Sequence, residues 1–410
     1  MLKFLHTADL HLGKVFHEQS LAEDQAAVLE NLARILEDDS YAALAIAGDV
    51  YDRSIPSPEA VELLGAFLEN VKNRRPSLQI FVIPGNHDSA SRLGFGRELF
   101  ARLGIRFAVS AEDCDKPVIV EKDGESCAFF LLPFLNTGAF EGEEGPLRSQ
   151  SALAEEAARR MEKARQEWAG RGVSRSVLVS HLFASGGAEA GSERVFLGTA
   201  ELVNLSLFKG FDYIALGHLH RCQRAGDNAW YSGSPLVYSF GEVSASKTTE
   251  KFFLSVELKE GGAAVEKIPV KPLRKAVSLA GPFARFTEAA SPDPELSAAK
   301  DDYLEIRLTD RGITENARDI LRKRYPRLLS LRQDQALAGL ASAFAAEPRR
   351  ERRCLSADFK DFLVSLYGDA NAPDAAAEIE LFNALLAEAE AEEAPGNTGR
   401  ARQGEGRLSF

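Results

Sequence analysis

The ten residues Gln79-Ile80-Phe81-Val82-Ile83-Pro84-Gly85-Asn86-His87-Asp88 decide the fold. Gln79 to Ile83 is a short apolar run that reads as a buried strand. Pro84 and Gly85 end it. Asn86, His87 and Asp88 then place chemically capable side chains in the loop at the carboxyl end of that strand. Open α/β sheets place their ligands in such loops.

The same construction recurs on both sides. The strand Lys3 to Thr7 runs into Asp9-Leu10-His11, and the strand Tyr41 to Ala47 runs into Gly48-Asp49-Val50-Tyr51-Asp52. The strand from Ser176 ends on His181, and Tyr213 to Leu216 runs into Gly217-His218-Leu219-His220. Five of the seven histidines in the chain fall in these loops. Between the strands the apolar spacing is helical, over Leu21 to Glu37, Pro58 to Lys72 with Ser57 as its cap, and Arg97 to Leu103. Strand–helix alternation predicts an α/β layered fold.

From Pro117 onward the pattern predicts strands at Val118 to Glu121 and Cys127 to Leu132, around the turn Lys122-Asp123-Gly124. A long amphipathic helix is predicted over Ser149 to Gly170. A hairpin follows, Phe252 to Leu258 and Ala264 to Val270, around Glu260-Gly261-Gly262. Two sheets packed between outer helices fit this order. A boundary is expected near Lys271 to Ala284. A smaller unit follows, with a strand at Tyr303 to Leu308, a helix at Ile313 to Arg324 and a strand at Arg327 to Leu331. Phe359, Phe362, Leu363, Leu366 and Tyr367 make one apolar helical face, and a second helix covers Ala375 to Ala394. The tail from Pro395 has the composition of a disordered segment. The division expected is 1–275, 276–345, 346–394 and 395–410.

Bulk numbers bound the function. The chain has 410 residues, 45% hydrophobic and 27% charged, which is enough apolar material for a sizeable core. The net charge is −12, so a bulk basic footprint for nucleic acid is absent. Asn371 to Gly396 carries seven acids and no Lys or Arg, more than half of that net charge. No run near a motif approaches a membrane span, and no secretory signal is seen at Met1 to Asp9. The four cysteines are far apart with no C-x-x-C pair, so no zinc ribbon or disulfide framework is expected. A cytoplasmic location is the default expectation.

The loops offer Asp9, His11, Asp49, Asn86, His181, His218 and His220. This is an oxygen and imidazole set without thiolate, suited to manganese, iron or zinc in a dinuclear site. Two ions about 3.5–4 Å apart need a bridging ligand, and a carboxylate beside a glycine, Asp49, suits that place. One such residue alone would be an ordinary turn or core group. Five strand ends together point to a metal site.

D-x-H, G-D-x-x-D, G-N-H-D, a later lone His and G-H-x-H together resemble the calcineurin-like metallophosphoesterase superfamily. Longer segments resemble its SbcD family of nuclease subunits: His6 to Gly13, Gly85 to Ser89, Arg92 to Gly96, Gly217 to Arg221, Tyr231 to Pro235 and Tyr238 to Phe240. The likeness is strong over Met1 to Lys271 and weaker beyond. It implies a four-layer α/β sandwich of two mixed sheets flanked by helices, a small α+β capping domain that binds DNA, and C-terminal helices. It implies two divalent metal ions, with Mn2+ the expected identity. One would take Asp9, His11, Asp49 and His220, the other Asp49, Asn86, His181 and His218. His87 would be the catalytic proton donor, oriented by Asp88. For Asp88 a helix-cap role is an equal and compatible reading. Relatives from archaea and eukaryotes tend to have His where this chain has Asp52, so any substrate role of position 52 is open.

The resemblance further implies a DNA repair nuclease with double-strand 3′–5′ exonuclease and single-strand or hairpin endonuclease action. Its expected partners are an SbcC-like coiled-coil ATPase, docked through the C-terminal helices, and DNA ends and hairpins. A homodimer within a heterotetramer, located at the nucleoid, is expected. With the acidity concentrated near the C-terminus, two ions could still attract a phosphodiester to the site. Arg53 and Arg92 each follow a metal loop and are candidates for phosphate contact, against ordinary surface ion pairing. His6 reads as a packed sheet residue, His17 as a surface histidine and Cys222 as a small buried residue. Competing functions are another phosphodiesterase or phosphatase of the superfamily, and a non-catalytic DNA tether.

Overall fold

The apolar runs build two sheets in the computed structural model, which describes residues 1–142, 145–184, 202–243, 249–287, 293–310 and 316–333, together with 359, 378–379, 381–383 and 385. In the first sheet β1 (Lys3–Thr7), β2 (Tyr41–Ala47), β3 (Gln79–Ile83) and β4 (Ile105–Phe107) lie parallel and in sequence order. The second sheet holds β5 (Val118–Lys122), β6 (Glu125–Leu132), β7 (Arg175–His181), β8 (Tyr213–Gly217), β9 (Gln223–Arg224) and β10 (Ala229–Tyr231). Its inner strands β6, β7, β8 and β10 are parallel, and β5 and β9 are antiparallel edges. The hairpin β11 (Phe252–Lys259) and β12 (Gly262–Pro269) returns to the first sheet beside β1, antiparallel.

Side-chain alternation along β2 shows how the layers form. Leu44 and Ile46 join the outer core with α1 (Ala22–Ile35) and α2 (Pro58–Arg74). Ala43, Ala45 and Ala47 face the other sheet, in a core shared with Phe4, Phe81, Phe129 and Tyr213. The Phe4 and Phe129 rings meet edge to face at 5.2 Å. On the far side of the second sheet, α4 (Gln150–Ala169), which follows α3 (Arg97–Arg102) in the chain, buries Leu153, Ala157 and Met161 against Phe130 and Ile214. The expected order of helix, sheet, sheet and helix is present.

Local chemistry sets the ends. Ser57 Oγ accepts the Ala60 N–H at 3.3 Å ahead of Pro58, and Ser149 Oγ accepts that of Ala152 at 3.2 Å. Asp123 and Gly124 have φ of 51° and 80°, the two positive angles of a tight hairpin turn. In the second hairpin Lys259 pairs with Gly262, so the turn is Glu260-Gly261 and Gly262 already belongs to β12.

A third, parallel sheet joins β13 (Ala276–Gly281), β14 (Tyr303–Leu308) and β15 (Leu328–Gln333), with α5 (Ala317–Arg324) packed against it. β13 occupies the stretch where the sequence suggests only a boundary. β14 leads on to the core on the helix side of the first sheet through Tyr303, whose hydroxyl donates to Asp24 of α1 at 2.6 Å. Arg274 donates to the same carboxylate at 2.9 Å.

A second compact unit covers Ala336–Phe410. Within it, Phe359 and Phe382 are helical and their rings stack at 4.1 Å. The rest of the expected Phe359 to Tyr367 face, the bounds of the second helix and the tail lie outside the described residues, as does the start of the Ile313 helix. Among the described residues no helix is long and apolar enough to cross a membrane.

Candidate metal centre

The loops at the carboxyl ends of β1, β2, β3, β7 and β8 pack closely, and small residues permit it. A Cβ at Gly217 would overlap the Ala47 carbonyl oxygen, and one at Gly85 would overlap the Asp49 carboxylate. The loops are then laced together. The N–H groups of Asp9 and His11 donate to the carbonyls of Gly48 and Asp49 at 3.0 and 2.9 Å. The His218 N–H donates to Asp9 Oδ1 at 3.0 Å. Asp9, His11, Asp49 and His218 have φ of 54°, 43°, 48° and 106°. Side chains other than glycine adopt such angles at a conformational cost, and functional sites are where that strain is found.

This lacing brings all seven expected ligand residues into one place. His11 Nε2 and His220 Nε2 face each other at 3.1 Å. Two ring nitrogens that close cannot both carry protons, so at least one presents a lone pair. Asn86 Oδ1 lies 3.1 Å from His181 Nε2 and 3.0 Å from His218 Nδ1. Asp49 Oδ2 sits between the two groups, 3.6 Å from His11 Nε2 and 3.5 Å from His181 Nε2. The ligand atoms of Asp9, His11 and His220 lie within 4.8 Å of one another, as do those of Asp9, Asp49 and His181.

The electrostatics suit a cation. Burial raises the Asp9 carboxyl to about 7, against the opposing pull of His181 and His220. Burial works against Asp49 too, but the charges of His181 and His11 outweigh it and hold Asp49 well below the carboxylate range. Burial opposes a charged His181, yet Asp49 and Asp9 raise it to about 9. Burial lowers His11 to about 4 and His218 to about 3. Asp9 Oδ2 and His218 Nε2 are buried without a hydrogen-bond partner. Unspent buried polar atoms are costly. Their clustering beside carboxylates and neutral imidazoles fits a bound divalent cation.

Other residues named in the sequence fall around this cluster. Ser89, and not Asp88, stands at the cap position of the short helix that follows, and the Asp88 carboxylate is turned to backbone N–H groups. It accepts those of Val50, Tyr51 and Gly85 at 3.0, 2.9 and 2.9 Å, stapling the second loop to the third. The group against His87 Nδ1 is the Asp52 carbonyl oxygen, at 2.9 Å. Asp52 does more than its place in the sequence suggests. Its carboxylate lies 3.5 Å from His11 Nδ1 and accepts from Lys14 Nζ at 2.8 Å. Arg53 is exposed on the rim, 3.7 Å from Asp52, and Arg92 is exposed beyond the third loop. Neither belongs to the buried cluster. His6 is fully buried between Tyr213 Oη at 3.0 Å and the Leu216 carbonyl at 3.2 Å, and burial lowers it to about 3. His17 is exposed and rests on Phe16 and Phe240. Cys222 is half-buried, with its thiol pushed up by burial.

Glu242 and Lys251 belong to no spaced motif in the sequence, and only the structure brings them to notice. Both are buried beside His220, with Glu242 Oε2 2.6 Å from Lys251 Nζ. Burial opposes the Glu242 charge, but Lys251 and His220 hold its carboxyl at about 2.

Residues 2–222 match the family model of the calcineurin-like phosphoesterases. The SbcD component of the SbcCD nuclease from Staphylococcus saprophyticus is 30% identical over 334 residues, 80% of this chain and 84% of that protein. The chain belongs to the SbcD family of calcineurin-like phosphoesterases. A second SbcD protein, from Staphylococcus epidermidis, is 30% identical over 335 residues, 80% of this chain and 85% of its own. Residues 270–362 match a model described as the type 5 capsule protein repressor C-terminal domain. Members of the SbcD family are metal-dependent nucleases, and the buried cluster groups residues that could hold a divalent metal.

Proposed function

We propose that this chain is the nuclease subunit of an SbcCD-type DNA repair complex, hydrolysing phosphodiesters with two divalent ions, Mn2+ by preference. One ion would be held by Asp9, His11, Asp49 and His220, the other by Asp49, Asn86, His181 and His218. The observation that carries this reading is the position of Asp49 Oδ2, between His11 Nε2 at 3.6 Å and His181 Nε2 at 3.5 Å. When bound, two such ions supply Lewis-acid activation and neutralise phosphoryl charge.

His87 supplies the proton. Its backbone N–H is tied to Asp49 Oδ1 at 2.9 Å and its Nδ1 faces the Asp52 carbonyl at 2.9 Å. A carbonyl can only accept, so Nδ1 keeps its hydrogen and any proton gained resides on Nε2. That proton is the one His87 can pass to the departing sugar oxygen. Asp88 acts at one remove, by fixing the loop that carries His87. Arg53 and Arg92, both exposed, are the proposed contacts to phosphates further along the strand.

The substrates proposed are DNA ends and hairpins, cut as a double-strand 3′–5′ exonuclease and a single-strand endonuclease. The C-terminal helices dock on an SbcC-like coiled-coil ATPase, within a heterotetramer at the nucleoid of the cytoplasm. The exposed apolar residues Val61, Phe95, Leu99 and Leu103, on and beside α2 and α3, offer a face for the second copy. The test is Mn2+-dependent cleavage of end-labelled linear and hairpin DNA, alone and with the ATPase, beside a small chromogenic diester. Cleavage of DNA supports the reading. Cleavage of the diester but of no DNA in any combination contradicts it, and favours a small-molecule phosphodiesterase.

A further inference from the structure

The rear nitrogens of three imidazoles in the cluster each meet an acceptor. His181 Nδ1 meets the Ala47 carbonyl oxygen at 2.9 Å. His11 Nδ1 meets the Asp52 carboxylate at 3.5 Å, and His220 Nδ1 meets Glu242 Oε1 at 3.5 Å. The last of these is the most elaborately supported. Glu242 is 4% exposed and ends the short 3-10 turn Phe240–Glu242, whose start Ser239 caps. The Tyr238 N–H donates to Glu242 Oε1 at 3.1 Å, and Thr249 Oγ1 donates to the Glu242 carbonyl at 2.6 Å.

Lys251, 7% exposed, completes the arrangement. Its Nζ donates to Glu242 Oε2 at 2.6 Å, to Ser234 Oγ at 2.8 Å and to the His220 carbonyl oxygen at 2.9 Å. Three ammonium hydrogens thus meet three acceptors. The pair grips His220 at both ends, by its backbone through Lys251 and by its ring through Glu242. Two buried charges carry a desolvation penalty that apolar residues of similar size avoid. An arrangement of this kind calls for a function beyond filling space.

We propose that Glu242, held by Lys251, is a positioning residue for metal binding: it keeps the His220 proton on Nδ1 and so turns a bare Nε2 toward the centre. A carboxylate behind an imidazole ligand fixes its tautomer and raises its basicity. The opposite tautomer would aim an N–H at His11 Nε2, 3.1 Å away. The inference rests on the reading of His220 as a ligand, and it assigns the pair to that ion of the two which His220 serves.

Mn2+ titration of the full chain, followed by electron paramagnetic resonance, tests it. Wild type is expected to bind two ions with an exchange-coupled signal. The variant E242L/K251M removes both charges together, so no buried ion is left unpaired. It is expected to keep the wild-type unfolding temperature within a few degrees, to bind its weaker ion about 10–100-fold less tightly, and to show the six-line signal of an isolated ion at intermediate Mn2+. E242Q, which keeps an acceptor oxygen, is expected to lose less than E242L/K251M. If E242L/K251M does not fold, Zn2+-loaded wild type decides by nuclear magnetic resonance. A downfield His220 Nδ1 proton that moves in E242Q supports the proposal. Wild-type affinity for both ions in folded E242L/K251M, or a His220 ring protonated on Nε2, overturns it. Fewer than two ions in wild type would instead overturn the dinuclear reading itself.

Discussion

Asp49 Oδ1 accepts the backbone N–H of His87 at 2.9 Å. One oxygen of the carboxylate is thereby fixed by the loop that carries His87, the proposed proton donor. The other, Oδ2, is held between His11 and His181. The bond joins the proposed metal-binding and proton-transfer parts of the site through a single side chain, and a Cβ at Gly85 would overlap both the carboxylate and the backbone nitrogen of Asp49.

Removal of the His87 ring leaves that backbone bond intact. His87→Ala is expected to lower kcat by about 10²–10⁴-fold, the usual range for a lost general acid, with KM and metal stoichiometry unchanged. Steady-state kinetics on a short duplex, with a metal titration beside it, measures both. Unchanged kcat rules out proton transfer by His87.

Asp88→Ala acts by another route. Three backbone donors, at Val50, Tyr51 and Gly85, lose their acceptor together. A stranded buried donor costs about 1–3 kcal/mol, and water entering the gap relieves part of it. A loss of about 2–4 kcal/mol by chemical denaturation is expected, with metal affinity reduced as well. Wild-type stability with a pure kcat defect would return Asp88 to a direct role beside His87.

Metal uptake is expected to release protons. In the metal-free chain His181 is raised to about 9 by Asp49 and Asp9, so it is charged at neutral pH and must lose its proton to become a ligand. Asp9, raised to about 7 by burial, adds a second proton below that pH. His220 is raised too, by Glu242 against burial, and works in the same direction. His11 and His218, lowered to about 4 and about 3 by burial, are already neutral and release none. Apparent Mn2+ affinity should therefore climb about tenfold or more per pH unit between 7 and 9, and flatten above. Calorimetry in two buffers of different ionisation enthalpy measures the release. No proton release at pH 7.5 contradicts this.

Tyr303→Phe probes the attachment of the third sheet. The hydroxyl donates to the buried Asp24 at 2.6 Å, where Arg274 also donates. Loss of a hydrogen bond to a charged group costs about 1.5–3 kcal/mol. Faster amide exchange is expected over residues 276–333 than over the first sheet. Uniform exchange across the chain would show that the two sheets open as one.

Much of this site is legible in the sequence because its proposed ligands come from loops at strand ends, where short apolar runs mark the strands and the polar residues stand out. Asp9, His11, Asp49, Asn86, His181, His218 and His220 all carry that mark. The supporting residues do not. Asp52 acts through both its carbonyl and its carboxylate, and a backbone carbonyl leaves no trace in residue identity. Glu242 and Lys251 reach His220 from a turn and a strand start after it in the chain, with no periodicity to betray them. Asp88 misleads because adjacency to His87 suggests contact, whereas the turn aims its carboxylate at three N–H groups. The strands β4 and β10 escape a sequence reading because three residues give too little alternation.

The number of Mn2+ ions bound per chain, in wild type and in Asp49→Asn, tests the dinuclear site most directly. Two ions with an exchange-coupled resonance are expected for wild type, and at most one uncoupled ion for Asp49→Asn, with cleavage of DNA lost in parallel. One ion or none in wild type, or two coupled ions in Asp49→Asn, would contradict a centre bridged by Asp49.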